Sequence, residues 1–178
     1  MTTLVDKIVA LSESLTAAGV PHAFGGAIAL AYCTEDPRGT RDVDINAFVP
    51  ATSPEPVLAA LPSGVAVPPG TAGVIATEGQ VRLWWGDTPV DLFLDYAPLH
   101  AQAARRSRDV PFAGRQIRVL GAVELILFKA LFDRPKDWVD IAAVVEAGLV
   151  ATQGVREGLV ELVGAEDPRV RRWDALVS

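Results

Sequence analysis

The chain has 178 residues, 50% of them apolar and 21% charged, which supports a buried core and excludes global disorder. Its net charge of −6 argues against a general nucleic-acid coat protein, and its single cysteine, Cys33, excludes an internal disulfide and a cysteine-built zinc site. No uncharged apolar run reaches membrane-spanning length, and the opening MTTLVDKIVALSESL is amphipathic rather than signal-like, so a cytoplasmic protein with no membrane partner is expected.

Leu4, Ile8, Leu11 and Leu15 recur at helical spacing and predict a helix over residues 3–18, closed by Gly19. Pro21–Phe24 reads as a short extended segment running into Gly25-Gly26, and Ala27–Cys33 as a helix of small residues. Residues 34–39 are a loop by composition. Asp42–Val49 alternates as a strand. A short helix over 54–61 and a Gly/Pro-rich crossover through Pro68-Pro69-Gly70 follow. Gln80–Trp85 and Val90–Leu94 are strands flanking the turn signal Gly86-Asp87. A helix is predicted over 98–106, then a strand pair, Val110–Phe112 and Gln116–Leu120, across Ala113-Gly114. The rest is helical: 122–132, 136–147, 152–163 and 167–176.

This order predicts an α/β (α+β) fold, a mixed sheet flanked by helices with an all-helical C-terminal part. The expected division is a core over 1–120 and a helical part over 121–178, either as two parts or as one continuous domain. Charge is unevenly spread: residues 105–136 hold 8 of the 16 basic groups against 3 acidic ones. Such a patch on an acidic chain can guide a phosphate-bearing substrate.

Asp42 and Asp44 are two apart on a predicted strand, so both carboxylates project to one face while Val43 and Ile45 project into the core. Two acids so close repel unless a cation lies between them, and hard oxygens suit magnesium. A solvated strand edge produces the same Asp-x-Asp pattern. Asp91, opening the apolar strand VDLFL, offers a third carboxylate, and three acids on neighbouring strands can hold two metals for phosphoryl transfer. The plainer role for Asp91 is to cap a hairpin after Pro89, and Asp95, at the far end of that strand, reads as a structural cap. Gly25-Gly26, between a strand and a helix, lets backbone approach a phosphate at a helix N-terminus, although alone such a pair is more often a tight turn.

Strand–Gly25-Gly26–helix, then Asp42-Val43-Asp44-Ile45, then Val90-Asp91-Leu92 resembles the DNA polymerase β-like nucleotidyltransferase superfamily. That resemblance implies a small mixed sheet flanked by helices. It also implies transfer of a nucleoside monophosphate from an NTP to a hydroxyl, with Asp42, Asp44 and Asp91 holding two magnesium ions and Gly25 and Gly26 receiving the nucleotide. Pro37-Arg38-Gly39-Thr40-Arg41-Asp42-Val43-Asp44 and the later Phe128-Lys129, Arg134–Asp137 and Asp140-Ile141 look like the AbiEii/MenT-like toxins. Fifteen residues separate Gly26 from Asp42, longer than the usual motif, with Glu35-Asp36-Pro37 expected to loop outward.

Lys129 interrupts the apolar run Leu125–Phe132. It is either a snorkelling lysine at the rim of a core helix or a cation reaching an NTP phosphate. Asp137 and Asp140 share a helix face and are placed to orient Lys129 or Arg134. Arg38 and Arg41 flank the Asp-x-Asp motif as phosphate partners or as structural ion pairs. His22 and His100 are too isolated to imply chemistry. Trp84-Trp85 offers at most one ring to a base, and Trp138 and Trp173 read as packing residues.

The branch resemblance implies a toxin acting on the tRNA 3′ end, with residues 105–136 meeting the acceptor stem and a cognate antitoxin as partner. The rival reading is a small-molecule nucleotidyltransferase of the antibiotic-modifying kind, which an acidic cleft for a cationic acceptor would favour. A catalytically idle nucleotide-binding module is the third.

Overall fold

In a computed structural model describing residues 2–178 other than Arg38 and Tyr96, the chain forms one mixed sheet covered by helices. Helix α1 (Leu4–Ala17) begins at a reciprocal cap between Thr3 and Asp6, worth about 1 kcal/mol. It buries Ile8, Leu11 and Leu15. Strand β1 (His22–Phe24) leads into α2 (Gly26–Thr34), and the central strand β2 (Val43–Pro50) follows.

The crossover holds more structure than its composition predicts. After α3 (Glu55–Ala59) come a two-residue strand β3 (Val65–Ala66) and a helix α4 (Thr71–Glu78). Helix α4 contains Gly73 and four β-branched residues, Thr71, Val74, Ile75 and Thr77, a composition of poor intrinsic propensity. Burial of Thr71 and Ile75, one turn apart, holds it in place, and Gly79 at φ +70° ends it.

Strands β4 (Gln80–Trp85) and β5 (Thr88–Asp95) form a hairpin, followed by α5 (Pro98–Arg106) and a second hairpin, β6 (Arg108–Phe112) with β7 (Arg115–Val119). The helices α6 (Ala122–Phe132), α7 (Pro135–Glu146), α8 (Thr152–Val163) and α9 (Pro168–Val177) complete the chain. Among the described residues the sheet order is β3-β4-β5-β2-β1-β7-β6. The pairs β2–β5 and β1–β7 are parallel, and the others are antiparallel.

Helix α6 is apolar on nearly every side, and Leu125–Ala130 are all buried. It packs against α2, α5, α7 and α8. One cluster of buried residues runs from Ile8 through the strands to Trp173, so the C-terminal helices share the core of the sheet. No helix of the described residues is long and apolar enough to cross a membrane.

Candidate active site

Parallel pairing of β2 with β5 sets Asp44 directly opposite Asp91. Strand alternation buries Val43, Ile45, Val90 and Leu92 completely and leaves the two carboxylates on the other face. Burial, and then the neighbouring Asp91 charge, push the Asp44 carboxyl up to about 6. Asp42 lies just ahead of β2 with its side chain 44% exposed.

The glycine turn packs on this pair. The N–H of Gly25 donates to the Asp44 carbonyl at 2.9 Å, and the chain enters α2 at Gly26 with φ +50°. A Cβ at Gly26 would overlap Asp44 Oδ2, and one at Gly25 would lie 2.8 Å from Asn46 Nδ2. Only glycine lets the backbone pass so close to the carboxylate. The fifteen residues before Asp42 therefore do not separate the turn from the acids. The N-terminus of α2 has no side-chain cap, so its first N–H groups are open to an anion.

Three cations line the same space. Arg82 on β4 is the register partner of Asp91, and its Nε and Nη2 donate to Oδ1 and Oδ2 of that residue, each at 2.7 Å. Its Nη2 also lies 3.6 Å from Asp42 Oδ2. Lys129, 8% exposed, donates to Asp140 Oδ2 at 2.7 Å and lies 3.8 Å from Asp137 Oδ1. Arg134 donates to the fully buried Asp137 through Nε at 2.6 Å and Nη2 at 3.0 Å. Asp140 thus holds Lys129, and Asp137 holds Arg134. Arg41 is exposed and makes no ion pair among the described residues. Arg38 lies outside the described residues.

These groups enclose a cavity of about 520 Å³. Its floor is two rows across the sheet, Asp44–Asp91–Arg82 and Asn46–Phe93–Gln80. Gly26, Leu125, Phe128, Lys129, Phe132 and Arg134 wall one side, and Val74 and Glu78 of α4 the other. Asn46, 4% exposed, turns its amide into this space.

Asp42, Asp44 and Asp91 suit a hard divalent cation in donor type, and the Asp44 carboxyl, raised first by burial and then by the Asp91 charge, is a group whose ionised form such an ion would favour. Among the described residues no three acid, histidine or cysteine side chains form a ready-made metal cage. Arg82 already spans Asp91 and faces Asp42.

Arg82 was not among the residues singled out from the sequence, although its position was legible there. A two-residue turn at Gly86-Asp87 pairs Trp85 with Thr88 and, three residues back, Arg82 with Asp91. Val74 and Glu78 were hidden because α4 was not foreseen. The basic segment 105–136 divides: Lys129 and Arg134 face the cavity, whereas Arg108, Arg115 and Arg118 lie on β6 and β7 at the far sheet edge. There Arg115 pairs with Glu13 and Arg118 with Asp109, and Arg108 donates to the Tyr32 carbonyl. His22 and His100 are buried away from the cavity lining, Trp84 is exposed, and Trp138 and Trp173 are core residues.

No family model matches the chain, and no curated protein matches it in sequence. Solved structures do match in fold. The solution structure of the antibiotic-resistance factor ANT(2″)-Ia aligns at a TM-score of 0.65 and 15% identity, covering 99% of this chain and 96% of that one. The crystal structure of ANT(2″)-Ia with adenylyl-2″-tobramycin aligns at 0.56 and 17%, covering 99% and 97%. An antigenic nucleotidyltransferase-like protein from Paracoccidioides brasiliensis aligns at 0.58 and 16%, covering 98% and 91%. The chain has the fold of the nucleotidyltransferases.

Proposed function

We propose that this protein is a magnesium-dependent nucleotidyltransferase that moves a nucleoside monophosphate from an NTP to a hydroxyl of a small cationic acceptor. One observation carries the reading: Asp44 and Asp91 are register partners on adjacent strands, with the Gly25-Gly26 turn packed on Asp44. Asp42, Asp44 and Asp91 would hold magnesium, which when bound supplies charge neutralisation for the phosphates.

The chain's own residues do the rest. The open N–H groups at the start of α2 receive phosphate oxygens. Lys129, steadied by Asp140, and Arg134, steadied by Asp137, carry positive charge to the same end of the cavity. Asp91 accepts the proton of the acceptor hydroxyl. The hydroxyl oxygen bonds to the α-phosphorus, the bond to the bridging oxygen breaks, and pyrophosphate leaves with its electron pair.

Two features favour a small acceptor. The cavity volume, about 520 Å³, suits a small molecule. Glu78 of α4 adds to the cavity lining a carboxylate outside the proposed metal set, a setting for an amine-bearing compound. The tRNA acceptor, with a cognate antitoxin, keeps the support of the sequence pattern around Lys129 and Arg134. It loses that of a continuous basic face, because the segment divides between cavity and sheet edge.

Purified protein incubated with magnesium, each labelled NTP in turn and either amino-sugar acceptors or total tRNA tests this reading. Label on an amino sugar, absent with Asp44→Asn, is the expected outcome. Label on tRNA alone would replace the acceptor assignment, and no pyrophosphate release with any acceptor would sink the activity.

A further inference from the structure

We propose that Arg82 guards the metal carboxylates while the cavity is empty and exchanges Asp91 for the polyphosphate of an arriving metal–nucleotide complex. This rests on the nucleotidyltransferase reading above and adds an order of loading to it.

The argument starts from the fork. Both oxygens of Asp91 already receive an Arg82 N–H at 2.7 Å, and the same guanidinium lies 3.6 Å from Asp42. A divalent cation drawn to those oxygens meets a resident positive charge, so metal alone binds poorly. The guanidinium is not locked in place. Its side chain is 52% exposed on a strand near the sheet edge and lines the cavity beside Asp44 and Gly26. A polyphosphate offers the planar fork the same paired oxygens as a carboxylate, with more charge. When metal and nucleotide arrive together, Arg82 gains a new partner as Asp91 loses its old one, and no charge is left unpaired.

Arg82 is a positioning residue in this scheme, so the readout is binding rather than turnover. The full chain, as wild type and as Arg82→Gln, is titrated calorimetrically with manganese alone, then with manganese and a non-hydrolysable α,β-methylene NTP. Arg82→Gln is expected to bind manganese alone about fivefold tighter, the scale of losing one half-exposed ion pair, and to bind the manganese–nucleotide complex more weakly than wild type. Arg82→Lys, which keeps the charge and loses the fork, should fall between them. Circular dichroism melts establish that each variant is folded. Equal manganese affinity in wild type and Arg82→Gln overturns the inference, as does unweakened binding of the complex by Arg82→Gln. Failure of the wild type to bind the complex at all overturns instead the reading beneath it.

Discussion

A Cβ on Gly26 would overlap the Oδ2 of Asp44, so the glycine turn and the strand that carries the acids touch at one point. Gly26→Ala is strained twice over, because its backbone sits at φ +50° and the Asp44 carboxylate must swing away to make room. The expected result is a loss of about 1–3 kcal/mol in urea unfolding with pyrophosphate release reduced at least about a hundredfold. Gly25→Ala should be milder, since its obstacle is the Asn46 side-chain amide, which can turn.

Asp44 makes the stability of the metal-free protein depend on pH in the direction opposite to a salt-bridged acid. Its carboxyl titrates near 6 in the fold against 3.8 ordinarily, so the folded protein holds the extra proton between those values. Stability is therefore lost as pH rises from about 4 to 6 and stays low above that, by about 2–3 kcal/mol at most. Asp44→Asn should match wild type near pH 4 and exceed it at pH 7.5 by up to that amount. Urea titrations at both pH values check this, and a constant difference between the two proteins would contradict it.

Asp137 is fully buried and accepts from Nε, Nη2 and the backbone N–H of Arg134, with Lys129 nearby. Asp137→Ala should cost about 2–4 kcal/mol in chemical denaturation, as expected when a buried partner is removed. The half-exposed Arg134 can regain water, which keeps the loss toward the lower figure. Asp137→Asn keeps an acceptor oxygen and should cost less.

Lys129→Met removes the charge at nearly constant volume from a residue bonded to Asp140. If Lys129 meets the nucleotide, KM for the NTP should rise about tenfold or more. A variant with unchanged KM and lower thermal stability would identify Lys129 as a core-rim lysine instead.

Lys7 ties α1 to the β4–β5 turn by donating to the Trp85 carbonyl at 2.9 Å and to Thr88 Oγ1 at 2.8 Å. Lys7→Met should lower stability by about 1–3 kcal/mol. Because Lys7 does not line the cavity, KM should be unchanged, which steady-state assays can verify.

Most elements were legible because their signals are local. Ile8, Leu11 and Leu15 mark the buried face of α1, and Val43 and Ile45 that of β2. Gly86-Asp87 and Ala113-Gly114 mark the turns of the hairpins. Helix α4 and strand β3 left no such mark, since a short helix with Gly73 and few buried residues exists only through what it packs against.

By itself the sequence determined that Asp42 and Asp44 share a face, that Gly25-Gly26 joins a strand to a helix, and that Lys129 stands in an apolar helix. Alternation, turn chemistry and helical period depend on neighbours in the chain. The tertiary structure alone decided that Asp44 and Asp91 are partners across a parallel pair, that Gly26 rests on Asp44, and that Asp140 rather than Asp137 holds Lys129. It also decided that Arg108, Arg115 and Arg118 of the basic segment lie at the far sheet edge, away from the cavity. A parallel register is set by the packing of a long crossover rather than by a turn, and the choice of ion-pair partner inside a core is set by a difference in distance, here 2.7 Å to Asp140 against 3.8 Å to Asp137, so neither is carried by residue order alone.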